Sequence, residues 1–493
     1  MTSSDAVDAL AGASVPCDVL ITGLDVLVDE HTLIEDAVIE IEQGTLRRVA
    51  ARGARRVNAP ESPDYIAAKR RLHLPDRLAI AGLINIHSHA ALCMLRGVAE
   101  DLGFAPAYTP GVPGGASLTP GEAAALARLG ALEALRFGTT LLVDTYVHAL
   151  HTLPAMADLG LRVCASPRIH DADLALLGKR QWHFDPAIGE ATLEEAITLA
   201  ERWPRRSGAR LSTHLAVHAP DTCSSNLWRK VSDAAQSFGL PIATHLAQSR
   251  VELDAVRTRE GCGSAEYLER LGLLGPGLIA AHCIYLDEAD IARCGRAGMT
   301  VAHIPKGNAT GGSLAPIPQL AAAGARITLG TDNMHGDMIE VLRWALALGR
   351  LHQGRVDQTW QPEHVFRAAT LGGAQALGLA RELGSLHAGK RADLVIVDLR
   401  SAHLNPVLRP LGSLVHTGQG NDVQYVLVDG EIVIEDGEPT RTDRADVIAE
   451  ANQAVRAAWR RAGAMPARTG PPLAGQAAAV GLTSTAGLSP RSA

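Results

Sequence analysis

Four absences narrow what this chain of 493 residues can be. No apolar run is long and uninterrupted enough to span a bilayer, which leaves a membrane role without support. No long basic run interrupts a net charge of −7, so a nucleic-acid surface has no compositional footing. The opening residues Met1 to Asp8 lack the basic and apolar regions of a secretory signal. The seven cysteines contain no CxxC pair, and their odd number argues against a disulfide framework. Together these absences point to a cytoplasmic protein with reduced thiols.

What is present looks like a soluble enzyme. A 47% hydrophobic and 20% charged composition is ordinary for a globular chain, and the length allows a large core plus a satellite. Residues 17–50 alternate Val and Ile with polar residues between acidic and Gly-containing turns, the pattern of a small antiparallel sheet. A similar pattern returns at Gly389–Leu399 and Val423–Glu435, where Asp429-Gly430 is a two-residue hairpin signal. Two β-rich ends around a different middle predict a small β-sandwich assembled from residues 1–79 and 389–445. Residues 446–493 are expected to form a helix and then, from 466, a disordered tail.

The middle, residues 80–388, alternates. Strand-like runs at 80–87, 139–144, 161–167, 211–218, 241–246, 278–283, 298–304 and 327–332 are separated by Ala/Leu/Glu/Arg-rich helical stretches such as 119–137, 191–203, 250–258, 286–297 and 338–350. Eight such repeats predict an α/β fold, a (β/α)8 TIM-like barrel. Residues at the carboxyl ends of barrel strands converge on one mouth however far apart they lie in sequence. Those ends carry His87 and His89 on the first strand, His218 on the fourth, His245 on the fifth, His282 on the sixth and Asp332 on the eighth. In an extended strand His87 and His89 share a face. Three imidazoles and one carboxylate around a divalent metal ion leave a position for water, as in a catalytic site. The cation would lower the pKa of that water and supply hydroxide.

On these residues the chain resembles the amidohydrolase superfamily, in the branch holding S-adenosylhomocysteine/methylthioadenosine deaminases and s-triazine hydrolases. The matching stretches are Gly82-Leu-Ile-Asn-Ile-His-Ser-His89, Leu95-Arg-Gly-Val-Ala-Glu-Asp-Leu102 and His218-Ala-Pro-Asp-Thr-Cys-Ser224. They continue with His245-Leu-Ala-Gln-Ser249, Ala281-His-Cys283, Val301-Ala-His-Ile-Pro305, Leu329-Gly-Thr-Asp332 and Gly384–Leu394. The resemblance implies one metal, zinc before iron, held by His87, His89, His245 and Asp332. It implies that His282 contacts the attacking water or the substrate, that Asp332 also accepts the proton, and that His218 hydrogen-bonds the substrate ring. It further implies a homodimer or higher homo-oligomer.

The departures from that pattern matter most at Gln248. The deaminases carry a glutamate there that protonates the heterocycle, and a glutamine has no titratable proton. Three readings stay open: His282 or Asp332 carries the proton traffic, the leaving group needs no protonation, or catalysis is lost and the metal site retained. In place of the Trp- and Glu-containing segment of that branch stands a Pro/Gly-rich loop, Gly103–Leu118, with Phe104 and Tyr108 as wall candidates or as bland surface. Lys306 can face an anionic substrate group or solvent. Asn333 resembles a residue that faces the leaving group in some triazine hydrolases, and His335 either does likewise or caps the loop. Cys93, Cys223 and Cys283 fit no tetrahedral metal set and are assigned to packing.

The expected function is metal-dependent hydrolysis at an sp² carbon of an N-heterocyclic or amidine-like small molecule, with release of ammonia or an amine. Hydrolysis of a carbon–halogen, thiocarbamate or amide bond is the alternative, and a metal-bearing binding protein without turnover is the third.

Overall fold

The computed structural model describes residues 17–52, 66–101, 108–109, 112–463, 465–467 and 469. Phe104 and nearly all of the tail expected from residue 466 lie outside them. Two nine-stranded sheets organise the molecule. One is the barrel: Leu83–Ser88, Thr139–Tyr146, Arg162–Ile169, a fourth strand in two pieces, Ile242–Leu246, Leu278–His282, Thr300–His303 and Arg326–Leu329. Neighbouring pairs run parallel, each strand hydrogen-bonded to the next in chain order. Helices between them wrap the outside, for example Pro120–Arg136, opened by Pro at its start and a Thr119/Glu122 capping box.

The barrel closes between its first and last strands. Asn85 Nδ2 donates to Thr331 Oγ1 at 2.7 Å, and its Oδ1 accepts from Thr331 N–H at 3.1 Å. Asp332 N–H donates to His87 O and His89 N–H to Asp332 O, both at 3.0 Å. Gly330 permits this approach, because a Cβ there would lie 2.8 Å from His87 O.

Three details differ from the sequence expectation. The apolar run at 80–87 serves both sheets: Arg77–Ala81 pairs with Leu394–Asp398 in the terminal sheet, while Leu83–Ser88 starts the barrel. Gly82 is the crossing point, where a Cβ would lie 2.0 Å from Thr140 Oγ1. The fourth strand breaks at His214 into Leu211–Thr213 and Leu215–Val217. The eighth ends at Leu329, leaving Asp332 on the turn that follows.

The second sheet draws on both ends of the chain. Cys17–Leu27, Leu33–Glu42, Thr45–Ala51, Ala68–His73 and Arg77–Ala81 join Leu394–Asp398, Val423–Val428, Glu431–Glu435 and Glu438–Pro439. Asp429 and Gly430 turn the predicted hairpin with φ of +50° and +73°, the two positive values such a turn needs. The sheet has a core of its own, built on residues such as Ile21, Ile39, Ile41, Leu394 and Ile396. It is fastened to the barrel by ions as well. Arg162, buried at the start of the third barrel strand, forks onto both Asp393 oxygens at 3.0 Å and reaches Asp429 at 2.5 Å. The helix Arg444–Arg461 packs against Pro120–Arg136, and Trp459 Nε1 donates to Met94 O at 3.0 Å, just beyond His89. No helix among the described residues is long and apolar enough to cross a membrane.

Candidate active site

The carboxyl ends of the barrel strands open into a cavity of about 730 Å³. His89, His218, His245, Gln248, His282 and Asp332 line its inner end, with Asn333 beside them. All are buried except toward this space, and His87 lies directly against them, its ring centroid 4.8 Å from that of His89 and 4.9 Å from that of His245. Strained backbone presents several of these groups: His282 has φ +72°, Asp332 +66° and Ala247, just before Gln248, +50°.

Hydrogen bonding fixes the tautomers. His89 Nδ1–H donates to Thr145 O, and His245 Nδ1–H to His218 O at 2.6 Å. Carbonyls only accept, so both Nε2 atoms carry lone pairs. These two lone-pair atoms stand 3.2 Å apart, and Asp332 Oδ1 lies 3.4 Å from His89 Nε2 and 3.6 Å from His87 Nε2. His87 Nε2 is buried with no hydrogen-bond partner. Burial depresses the imidazole pKa values, those of His89 and His282 to about 3. Two imidazole lone pairs and a carboxylate crowded together, beside the unpartnered His87 Nε2, are a repulsive arrangement that a cation resolves, and neutral imidazole is the ligating form. The donor set fits a divalent metal ion: His87, His89 and His245 offer ligand atoms within 4.8 Å of one another, as do His87, His282 and Asp332. Backbone carbonyls behind His89 and His245 hold the rings in register, the usual outer support of such sites.

Residues 78–433 match the amidohydrolase family. The chain belongs to that family. Its relatives include a 5-methylthioadenosine/S-adenosylhomocysteine deaminase of Moorella thermoacetica, 33% identical over 382 residues, 76% of this chain and 86% of the relative. A 5′-deoxyadenosine deaminase of Methanosarcina mazei is 32% identical over 430 residues, 86% of this chain and 93% of the relative. Among solved structures, an adenosine deaminase from Xanthomonas campestris with bound zinc superposes with a TM-score of 0.79 at 29% identity, covering 90% of this chain and 99% of that one. An atrazine chlorohydrolase from Arthrobacter aurescens, also with zinc, shares the fold at a TM-score of 0.78 and 22% identity, covering 89% and 100%. The chain is accordingly a hydrolase acting on carbon–nitrogen bonds other than peptide bonds.

Around the acceptor cluster, this amidohydrolase sorts the remaining sequence candidates. Tyr108 lines the cavity, but its hydroxyl is committed to Asp221 Oδ2 at 2.8 Å, which also accepts from Trp182 Nε1 at 3.1 Å. Lys306 does not face the cavity: it pairs with Glu340 at 2.7 Å in a partly solvent-exposed ion pair away from the lining. His335 is outside the lining too, with both ring nitrogens buried and unpartnered. Asp337, not His335, caps the helix Met338–Gln353. The seven cysteines are free; burial pushes the Cys93 and Cys223 thiols up to about 12, which suits packing and not ligation.

Glu252 is a functional neighbour that the sequence analysis did not single out. Its two oxygens accept the backbone N–H groups of Ala247 and Gln248, each at 2.9 Å, and so set the turn that aims Gln248. Burial, then the nearby Asp221, raises its pKa to about 8. The signal was a Ser249-x-x-Glu252 capping pattern, half realised here: Ser249 accepts from Glu252 N–H while the Glu252 side chain turns back to the preceding residues.

Two buried histidines outside the cluster have a consequence for stability. Burial lowers His214 to about 4 and His303 to about 3 from 6.5. Below pH 6.5 the unfolded chain binds protons there that the folded chain refuses, so stability falls as pH drops from 6.5 toward 3. Thermal melts across this range should show the decline, and His303→Gln should remove part of the slope; an unchanged slope would rule out His303 as a contributor.

Proposed function

We propose that this amidohydrolase removes ammonia from an adenosine-type N-heterocycle, with one divalent metal ion, zinc, held by His87, His89, His245 and Asp332. The observation that carries this reading is the crowding of three imidazole nitrogens and a carboxylate at 3.2 to 3.6 Å at the closed end of a cavity large enough for such a substrate. A cation held by these residues would lower the pKa of a water molecule and so supply a nucleophile near neutral pH.

The chain's own residues do the rest. Asp332, fixed by backbone bonds to His87 and His89, accepts the proton released by the nucleophile. His282, whose Nδ1–H donates to Asn308 Oδ1 at 3.1 Å, stands beside Asp332 to orient the attacked group. His218 donates Nδ1–H to Thr222 Oγ1 at 2.8 Å, while that hydroxyl donates to Ala219 O at 3.2 Å. Its Nε2 is thereby an acceptor for the exocyclic or ring N–H of the substrate. Gln248 presents an amide whose Nε2 has no protein partner, a donor for a ring nitrogen.

The test is metal analysis of the purified protein coupled to ammonia release from methylthioadenosine, S-adenosylhomocysteine, 5′-deoxyadenosine and adenosine. One metal per chain with ammonia from at least one of these is expected. Metal without ammonia would overturn the deaminase reading. Gln248 favours a second reading in that event, hydrolysis of a carbon–halogen, thiocarbamate or amide bond, because such leaving groups need no ring protonation; chloride, thiol and carboxylate assays would follow. Binding without any product would leave the third reading, a metal-bearing binding protein.

A further inference from the structure

The helix Arg250–Glu260 follows the fifth barrel strand and carries Glu252 and Arg259. Seven residues apart is about two helical turns, so both side chains leave on one face. Glu252 holds the turn that presents Gln248. Arg259 reaches the neighbouring turn, the one after the fourth strand. Its Nη1 donates to Asp221 O at 3.1 Å, and its Nη2 to Pro220 O at 2.7 Å and Cys223 O at 3.4 Å. Its Nε donates to Glu260 at 2.6 Å. The guanidinium lies 5.0 Å from the Phe184 ring centroid and 5.5 Å from that of Tyr267. A planar fork with five fixed donors suits three carbonyls at once, and an ammonium group does not.

The turn that Arg259 grips is also where His218 gets its orientation. Thr222 lies within it, accepts His218 Nδ1–H at 2.8 Å and donates its own hydroxyl to Ala219 O at 3.2 Å. Asp221, in the same turn, accepts from Tyr108 of the cavity wall and from Trp182. The ends of strands four and five are joined directly as well. His245 N–H and Nδ1–H both donate to His218 O, at 3.1 and 2.6 Å. Those bonds fix the His218 backbone and leave its ring free to turn about its own side-chain bonds. The ring angle is therefore set by Thr222, and the place of Thr222 by the turn.

We propose that Arg259 is a positioning residue: by gripping residues 220–223 it holds Thr222, and so the His218 ring, in register with Gln248. One helix thereby sets the spacing between the acceptor and the donor that meet the heterocycle. This rests on the deaminase reading above and adds what keeps its two recognition groups aligned. A displacement of about 1 Å at such groups costs about 10²-fold in rate.

The experiment is a double-mutant cycle on the full-length, zinc-loaded protein, reading kcat/KM for ammonia release from adenosine and Kd for adenosine by calorimetry. Arg259→Met should lower kcat/KM by about 10- to 10²-fold with metal content unchanged. Arg259→Lys, which keeps the charge, should recover part of that loss. In a His218→Ala background Arg259→Met should cost about twofold or less, because the ring it positions is gone. Equal losses in both backgrounds would mean general destabilisation and overturn the proposal. If Arg259→Met does not fold, Arg259→Lys takes its place in the cycle. Should wild type bind adenosine without releasing ammonia, the deaminase reading falls and the same cycle is read in Kd. Should it neither bind nor release, crystal structures of wild type and Arg259→Lys decide. A shifted 219–223 turn with a rotated His218 ring supports the role, and an unmoved turn overturns it.

Discussion

Asp332→Asn should lower kcat by at least about 10²–10⁴-fold while leaving the metal-free protein as stable as wild type. Asparagine is isosteric with aspartate and tolerates the left-handed backbone at this position (φ +66°) better than most residues. The two backbone bonds that tie position 332 to His87 and His89 do not involve the side chain. What is lost is the negative charge beside two imidazole nitrogens at 3.4 and 3.6 Å and the oxygen that takes the nucleophile's proton. An amide offers a weaker ligand and no base. Metal content and melting temperature, measured beside turnover, separate these effects. Retention of more than a tenth of wild-type turnover would remove Asp332 from the proton-accepting role.

The second large effect runs the other way. Gln248→Glu is expected to raise deamination of adenosine-like compounds by about 10²–10⁴-fold, because it restores the titratable acid that the resembled deaminases carry at this place. The backbone there is already braced by Glu252 through the N–H groups of Ala247 and Gln248. A new carboxyl in this buried site would have its pKa raised by desolvation. It would thus be protonated at neutral pH and able to donate. If the variant instead only abolishes a native activity, Gln248 binds the substrate in its own right and the account of it as a missing acid fails. The pH–rate profile checks the mechanism independently: the variant should acquire a limb, absent from wild type, on which activity falls as the new acid deprotonates.

Why the cluster of imidazoles and carboxylate was legible and the outer wall was not follows from where each residue sits. His87 and His89 end a strongly apolar strand, and period-two alternation puts them on one face. His218, His245, His282 and Asp332 each close a short apolar run, so a barrel topology alone gathers them. The terminal sheet was equally readable from its Val/Ile alternation and from Asp429-Gly430. By contrast, Arg168 and His170, which line the cavity wall, follow Pro167 in a stretch without repeated pattern. Tyr108 lines the cavity, yet its bond to Asp221 depends on a contact between residues 113 positions apart. Lys306 was read between substrate and solvent because nothing local announces Glu340, which approaches from the helix Met338–Gln353. The split at Gly82 was hidden for the opposite reason: both sheets demand the same apolar residues, so the sequence runs on without a seam.

That shared seam has a consequence for how the protein is made. The partner strand of Arg77–Ala81 is Leu394–Asp398, and the ribosome, adding about 5–20 residues per second, reaches it tens of seconds later. Until then the apolar faces of Cys17–Leu27 and Leu33–Glu42 have only half their sheet to lie against. The barrel's βα units are local and can assemble as they emerge, whereas the terminal sheet must wait for nearly the whole chain. Early termination anywhere before Leu394 would therefore release a barrel fragment with an open, adhesive edge, a hazard for the cell and a handle for anyone dissecting the folding order of this enzyme.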